Sequence, residues 1–272
     1  MKMIALKTLA VISVLLTGIS MVLGQPGGGR VDVAAFANET AVYEGRVSRL
    51  KIGVSVADLT FVTSIAPDSN ELTIKTDALS KGTLLKLFKY SFAQSYTSSI
   101  DLSSFRVTKT VKHDVQKERV RDSEAYFDYS ARRVTWTETD PRDKMRPPRR
   151  IASDLPGDTQ DMVSGIYYMR LQPLVVGKRI DLTVSDSGLV YQVPVVVTKR
   201  EQLGTEIGRV WCFRLEPAIF GPGRLIEQKG KMVIWITDDA RRIPVKAAID
   251  SQYGKIEIKL KSYKKEGQPS AN

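Results

Sequence analysis

Residues 231–250 read KMVIWITDDARRIPVKAAID, and this stretch decides the fold. An apolar run from Met232 to Ile236 meets a polar segment at 237–242, and a second apolar run begins at Ile243. The polar segment contains residue types that favour turns, and apolar runs on both sides of such a turn are typical of a β-hairpin. The stretch therefore predicts two antiparallel strands joined by a short charged turn.

Much of the remaining chain repeats the strand pattern. Residues 255–261 alternate between charged and apolar side chains, and residues 180–184 alternate in the same way. Such alternation gives a strand one buried face and one solvated face. Closely spaced strands joined by turn signals, such as Asp186-Ser187-Gly188, favour an antiparallel, barrel-like sheet. Further strands are expected near residues 41–50, 53–65, 72–74, 105–117, 123–129, 132–138, 192–198 and 208–216.

Two short helices are expected between the strands. The first has an apolar face made of Leu84, Leu85, Leu87 and Phe88. The second has an apolar stripe made of Met162, Val163, Ile166, Tyr167 and Arg170 or Leu171. Asp158 or Thr159 is the candidate cap of this second helix, and Pro173 stops it. We expect both apolar faces to pack on the core.

The N-terminus has the order of a secretory signal. A basic start with Lys2 and Lys7 precedes the nearly apolar stretch 9–23, and small and breaker residues follow at 24–29. A retained membrane anchor is the alternative, but this stretch of about 15 residues is shorter than the roughly 20 that span a bilayer. We therefore expect a cleaved signal peptide and a periplasmic or secreted protein.

The chain after the signal suits one domain. The expected organisation is a signal peptide over 1–24, a flexible linker over 25–39, a single β-rich domain over 40–263 and a disordered tail over 264–272. The net charge of +11 indicates acidic partners, such as an anionic membrane surface touched peripherally. Export argues against nucleic acid as a partner, and no RNA-binding pattern is present.

The residues that usually perform catalysis are scarce. His113 is the only histidine, and no serine stands in a Gly-x-Ser-x-Gly elbow. One cysteine and one histidine cannot build the usual zinc sites, and no phosphate-binding or dinucleotide glycine motif occurs. Cys212 lies in an apolar run, which predicts a buried, unreactive thiol. We predict no enzyme activity, no metal and no cofactor.

Two charged segments offer other sites. Asp238 and Asp239 could form an acid pair, as in glycosidases, but neighbouring residues usually point apart. Arg241 and Arg242 lie close enough to neutralise both acids, so a turn with internal salt links is the simpler interpretation. The segment 140–158 is rich in arginine and proline and reads either as an anion-binding arm or as a solvated loop.

Several segments resemble a known family. They are Tyr43-Glu44-Gly45 through Lys51-Ile52-Gly53, Phe127-Asp128, DMVSGIYYMR at 161–170 and, most specifically, WITDDARRIPV at 235–245. In this order they resemble the exported bacterial domain-of-unknown-function 3108 family over roughly residues 40 to 263. The resemblance implies an envelope protein whose fold is similar to the half-open antiparallel barrels of periplasmic lipoprotein carriers. It brings no catalytic residues, and it implies a structural role for the motif residues Asp238, Asp239, Arg241, Arg242 and Pro244.

These observations lead to two functional hypotheses. The first is a non-enzymatic envelope protein that binds a hydrophobic or amphipathic, lipid-like ligand in a barrel cavity. Its candidate ligand-binding residues are Trp235, Tyr167, Ile166 and Met162, and its candidate anion-contacting residues are Arg146, Arg149 and Arg150. The alternative is a structural or scaffolding module that docks on an envelope protein or a cell-wall polymer.

Overall fold

The computed structural model describes residues 21–22, 36–49, 52–251 and 254–266. The predicted signal peptide apart from residues 21–22, the predicted linker up to residue 35 and the tail beyond residue 266 lie outside the described residues. Neither helix within the described ranges has the length and hydrophobicity needed to cross a membrane.

The described residues form one antiparallel sheet and two short helices. The sheet has fourteen strands of six residues or more and one strand of two residues. The strands are β1 (Met21–Val22), β2 (Glu39–Arg49), β3 (Ile52–Ile65), β4 (Glu71–Ser80), β5 (Phe92–Asp101), β6 (Arg106–Gln116), β7 (Arg119–Asp128), β8 (Arg133–Thr139), β9 (Arg149–Asp154), β10 (Arg179–Asp186), β11 (Leu189–Thr205), β12 (Gly208–Pro217), β13 (Gly230–Thr237), β14 (Pro244–Ser251) and β15 (Gly254–Lys265). The helices are α1 (Gly82–Phe88) and α2 (Ser164–Leu171).

The sheet consists of two meanders that meet at the chain ends. Strands β2 to β9 follow one another as sheet neighbours, and so do β10 to β15. The meanders join because β15 pairs with β2, with Leu260 opposite Tyr43. Strands β9 and β10 are not paired with each other, and β10 pairs on that side with the two-residue β1, so the sheet stays open along a seam between β9 and the edge formed by β1 and β10. The expected mainly β, half-open, barrel-like sheet is confirmed.

The seam is filled by the segment that connects β9 to β10. Gln160 forms a parallel bridge to Val184 on β10, and α2 follows within the same connection. Met162 and Met169 pack in a hydrophobic core built mainly by β2, β3 and β10 to β15, whereas Val163 and Tyr167 pack in a second core built mainly by β4 to β9. The connection therefore acts as a plug that joins the two cores.

Two expectations about the helices need correction. Leu84 is buried as expected, but Leu85 and Leu87 are 51% and 59% exposed. A helix of seven residues buries little more than one row of side chains when it lies on a sheet.

The cap of α2 is Asp161, since its Oδ1 accepts hydrogen bonds from the backbone N–H groups of Val163 at 2.6 Å and Ser164 at 3.0 Å.

The residues first expected to cap α2 have other partners. The Asp158 carboxylate accepts a hydrogen bond from Arg106, and the Thr159 hydroxyl donates to the Gly157 carbonyl at 3.0 Å. The segment 140–158 also differs from expectation, because its residues Arg149–Asp154 form strand β9 against β8. The basic segment is therefore partly an edge of the sheet rather than a loop throughout.

Candidate functional site

The charged turn between β13 and β14 is held by its own side chains. The Asp239 carboxylate accepts hydrogen bonds from the Thr237 hydroxyl at 2.7 Å, from Arg241 Nη2 at 2.7 Å and from the Arg242 backbone at 3.1 Å. Partial burial opposes ionisation, but the hydrogen bonds from Thr237 and Arg241 outweigh it and hold the pKa of Asp239 below its usual range. Asp238 instead accepts a hydrogen bond from Arg200 at 2.6 Å. The two acids thus point to different partners, and the turn is built as a structural element.

A small apolar cavity lies between α2 and the sheet. Ile166 and Tyr167 line it from the helix, and Met232, Ile234 and other inward residues line it from the strands. Its volume is about 70 Å³, whereas pockets for drug-sized ligands measure roughly 300–1,000 Å³. This apolar cavity is therefore too small for an acyl chain.

The structure brings only part of the predicted ligand-binding set to the apolar cavity. Met162 is buried in the first core and does not line the cavity. Trp235 lies next to Ile234 in β13, and neighbouring residues of a strand point to opposite faces of the sheet. Its Nε1 donates to Glu201 Oε1 at 2.8 Å. Trp235 is therefore on the outer face, away from Ile166 and Tyr167.

A larger cavity, here called the polar cavity, lies elsewhere. It occupies about 340 Å³ between the inner face of β5 to β9 and the β10–β11 turn. Its lining is Tyr96, Thr110, Lys112, Asp114, Gln116, Arg119, Arg121, Ser123, Ala125, Phe127, Trp136, Glu138, Arg149, Ser185, Asp186 and Ser187. This volume lies within the size range of small-molecule sites.

The register of the strands brings five residues into line across the polar cavity. Tyr96 on β5 is opposite Lys112 on β6, and Lys112 is opposite Ser123 on β7. Ser123 is in turn opposite Glu138 on β8, which is opposite Arg149 on β9. Five strands thus contribute one residue each to a single cross-strand row on the inner face, here called the central row.

The acids on the strand side of the polar cavity already have cationic partners. Arg119 lies 3.1 Å from Asp114 and 3.5 Å from Glu138. Arg121 Nε lies 3.9 Å from the Glu138 carboxylate and its Nη1 donates to Asp140. Ion pairs therefore compensate these acids and hold the two arginines in place.

Two cations of the polar cavity lack such partners. Neither Lys112 nor Arg149 has a carboxylate within ion-pair distance anywhere in the described part of the chain. The guanidinium of Arg149 stands 5.6 Å from the ring centre of Trp136. Lys112 acts electrostatically on Asp186 of the β10–β11 turn, where burial raises the pKa of the carboxyl and Lys112 opposes the rise. The central row therefore offers an anion two cations that form no ion pair with a carboxylate among the described residues.

The inner wall of the polar cavity is aromatic. Tyr96, Phe127 and Trp136 are each less than 10% exposed and belong to the second core. Burial raises the pKa of Tyr96 well above its usual value, so its hydroxyl stays protonated. The cavity thus combines cations with apolar rings.

No group of three histidine, cysteine or carboxylate side chains within the described ranges is arranged to hold a metal ion.

The three arginines predicted to contact an anion lie in different places in the structure. Arg149 lines the polar cavity, whereas Arg150 follows it on the strand and points to the other face. Arg146 lies 3.8 Å from Asp140, outside the lining. Sequence reasoning missed Lys112. Its only signal was the inward alternation Thr110, Lys112, Asp114 in β6, which becomes informative only when the neighbouring strands are in register.

Comparison with known families agrees with the motifs. The model of a family described as proteins of unknown function, DUF3108, matches residues 42–261. The chain belongs to the DUF3108 family. The resemblance drawn from the hairpin and helix motifs is thereby confirmed. No curated protein matches this DUF3108 chain.

Solved structures give a fold relative for this DUF3108 chain. It is similar to a β-barrel-like protein of the domain of unknown function DUF1849 from Brucella abortus, with a TM-score of 0.56 and 10% identity over 85% of this chain and 98% of that one. At this identity the likeness concerns the fold alone. A second similarity, to a candidate lipoprotein from Parabacteroides distasonis, has 8% identity over 91% of this chain and 100% of that one. Its TM-score of 0.32 is too low to support a conclusion.

Proposed function

We propose that this DUF3108 protein is a non-enzymatic protein of the cell envelope that binds a small anionic, amphipathic ligand in the polar cavity. The observation that carries the proposal is that Lys112 and Arg149, which form no ion pair among the described residues, both line a cavity of about 340 Å³. A cation that faces a partly enclosed cavity gains more from an anionic ligand than one in open solvent, because screening by water is weaker there.

The proposed amphipathic character of the ligand follows from the aromatic wall of the polar cavity. Tyr96, Phe127 and Trp136 present buried rings, and an apolar or ring-shaped part of a ligand would remove their remaining surface from water. A long acyl chain is a poorer fit, because the apolar cavity beside α2 holds only about 70 Å³. The proposal therefore keeps the amphipathic ligand but places it in the polar cavity.

The position of the histidine supports a binding role over catalysis. His113 follows Lys112 in β6, so its side chain points to the outer face, where Nδ1 lies 2.5 Å from Asp122. The pair is about half exposed and belongs to the solvated side of the sheet. The polar cavity thus contains no histidine among the residues that line it.

Mass spectrometry of protein purified from the envelope of its native host tests the proposal. Native spectra and solvent extracts of the wild type should show one co-purified small anion. The double variant Lys112→Gln/Arg149→Gln should lose that species. The matched control is Lys109→Gln/Arg150→Gln, which removes two cations from the same strands on the outer face, and it should retain the species.

Two results would contradict the proposal. One is wild-type protein that carries no small molecule from its native envelope. The other is a Lys112→Gln/Arg149→Gln variant that carries the molecule as the wild type does. Either result would favour the alternative of a structural module that docks on another envelope component.

A further inference from the structure

We infer that the ligand of the polar cavity carries two separate anionic groups on a hydroxyl-bearing, uncharged body. One group is bound by Lys112 and the other by Arg149. This inference rests on the proposed function and adds the chemical class of the ligand.

The spacing of the two cations is the first argument. Lys112 is on β6 and Arg149 on β9, at opposite ends of the part of the central row that crosses Ser123 and Glu138. Neighbouring strands lie about 4.8 Å apart, so three strand intervals separate the two Cα atoms by about 14 Å. The row is therefore long enough for two distinct anion subsites.

The charges between the two cations are the second argument. Glu138 lies directly beside Arg149 in the row and is compensated by Arg119 and Arg121. Arg119 and Arg121 are already engaged by carboxylates. The cations that remain for a ligand therefore stand at the two ends of this part of the row.

The surroundings of each cation keep the two subsites apart. Lys112 acts on Asp186 and so lies toward the β10–β11 turn. Arg149 lies over Trp136 on the side of β8 and β9. The ends of the row thus have different walls, one formed by a turn and the other by an aromatic ring.

The middle of the cavity suits an uncharged polar body. The hydroxyls of Ser123 and Ser185 line the cavity, and no hydrogen bond from either hydroxyl is found within the described part of the chain. A hydroxyl that reaches a cavity can donate to and accept from a ligand. Together with the rings of Phe127 and Trp136, these groups match a body that has both hydroxyls and an apolar face, as a sugar ring does.

Phosphate groups serve as the anions of the test. A body that carries two phosphates could come from two sources: a soluble molecule or the head group of a membrane lipid. The shared chemistry is the pair of anions, and two arms of one experiment separate the sources. The soluble arm compares fructose 1,6-bisphosphate with fructose 6-phosphate by titration calorimetry. The membrane arm compares phosphatidylcholine vesicles that contain cardiolipin, with two phosphates, and phosphatidylglycerol, with one, at equal phosphate content.

The probe with two phosphates should bind more tightly than the probe with one phosphate in at least one arm. Each charge-assisted contact contributes enough for about a tenfold difference in affinity. Lys112→Gln and Arg149→Gln should each lower the affinity for the probe with two phosphates by about tenfold and leave the protein with wild-type thermal stability. The controls Lys109→Gln and Arg150→Gln should leave the affinity unchanged.

The outcomes separate this inference from the proposed function. Equal binding of the probes with one and with two phosphates, weakened by Lys112→Gln or Arg149→Gln, would overturn the inference and leave the proposed function standing. Failure of every probe to bind in both arms would overturn the inference, and the mass spectrometry of the native protein would then decide the proposed function by itself.

Discussion

Arg170 of α2 and Glu39 of β2 form a two-point ion pair across 131 positions of sequence, with Nη1 to Oε2 at 2.7 Å and Nη2 to Oε1 at 2.8 Å. Both side chains are 3% exposed. Tyr263 of β15 donates to the same carboxylate at 2.6 Å, and Arg170 Nη2 also donates to the Arg241 carbonyl at 2.9 Å. The pair therefore fastens the plug to both meanders and to the charged turn of the family motif.

Removal of one partner should be costly. Arg170→Met leaves the Glu39 carboxylate buried without its counter-charge, and we expect a loss of about 3–5 kcal/mol in the free energy of unfolding. Lys261→Met is the control, because it breaks an ion pair with Glu206 in which both side chains are about half exposed. Such a pair contributes about 1 kcal/mol or less. Urea unfolding checks both values, and similar losses in the two variants would contradict a structural role for the buried pair.

The β10–β11 turn approaches the opposite side of the seam at Gly188. The Ser153 hydroxyl of β9 donates to the Gly188 carbonyl at 2.7 Å. Gly188 has φ +79°, and a Cβ there would stand 2.8 Å from the Trp136 Cβ and 2.9 Å from the Ile151 carbonyl oxygen. The glycine is required both for its backbone conformation and for the close approach of the turn to β8 and β9.

Gly188→Ala should separate these two requirements when compared with Gly208→Ala. Gly208 has φ +97° and open space around its Cβ position, so its replacement should cost only the conformational strain of about 1–2 kcal/mol. Gly188→Ala adds the steric clash and should cost about 1–3 kcal/mol more. The measurement is the free energy of unfolding in urea. Equal losses would show that the turn does not need its close contact with β8 and β9.

The hairpin at 230–251 was predictable because its signals are local: two apolar runs and a turn whose acids have adjacent arginines. Strand β9 was not predictable from Arg149–Asp154 alone, since that segment has Ile151 as its only large apolar residue. It becomes a strand because β8 offers it backbone partners, and tertiary context of this kind often overrides propensity. The central row is harder still. Each strand's alternation can be read from sequence, but the alignment of Lys112, Glu138 and Arg149 depends on the register of four strands.

The single cysteine should be unreactive in the folded protein. Cys212 is fully buried, and burial raises the pKa of its thiol to about 11, with smaller contributions from the Asp239 and Glu201 carboxylates. Because the thiolate is the reactive form, little of it exists near pH 8. We expect no reaction with a disulfide reagent in native buffer and one thiol per chain in denaturant. Rapid modification of the native protein would show that the β12 region opens to solvent.

Glu44 should give the fold a stability that depends on acid pH. Its carboxylate accepts hydrogen bonds from the Ser55 hydroxyl at 2.7 Å, Lys81 Nζ at 3.1 Å and Arg46 Nη1 at 3.3 Å. The Ser55 hydroxyl and the Lys81 ammonium lower the pKa of Glu44 from 4.5 to about 2. Since the folded pKa lies below the unfolded one, this contribution is complete above about pH 4.5 and is lost as the pH falls toward about 2.

Glu44→Gln should therefore reduce the free energy of unfolding by about 2 kcal/mol at pH 7. The difference from the wild type should shrink as the pH falls from about 4.5 to about 2, because the wild-type carboxylate gains its proton more readily in the unfolded chain. Glu206→Gln is the control, as that carboxylate is half exposed and its ion pair among the described residues is with Lys261 alone. It should change stability by about 1 kcal/mol or less at every pH. A Glu44→Gln difference that stays constant from pH 7 to pH 3 would show that packing, rather than the charge of this carboxylate, makes the residue important. Its partners lie on β2, on β3 and in the segment before α1, so loss of the charge is expected to loosen the contact among these three parts of the first meander.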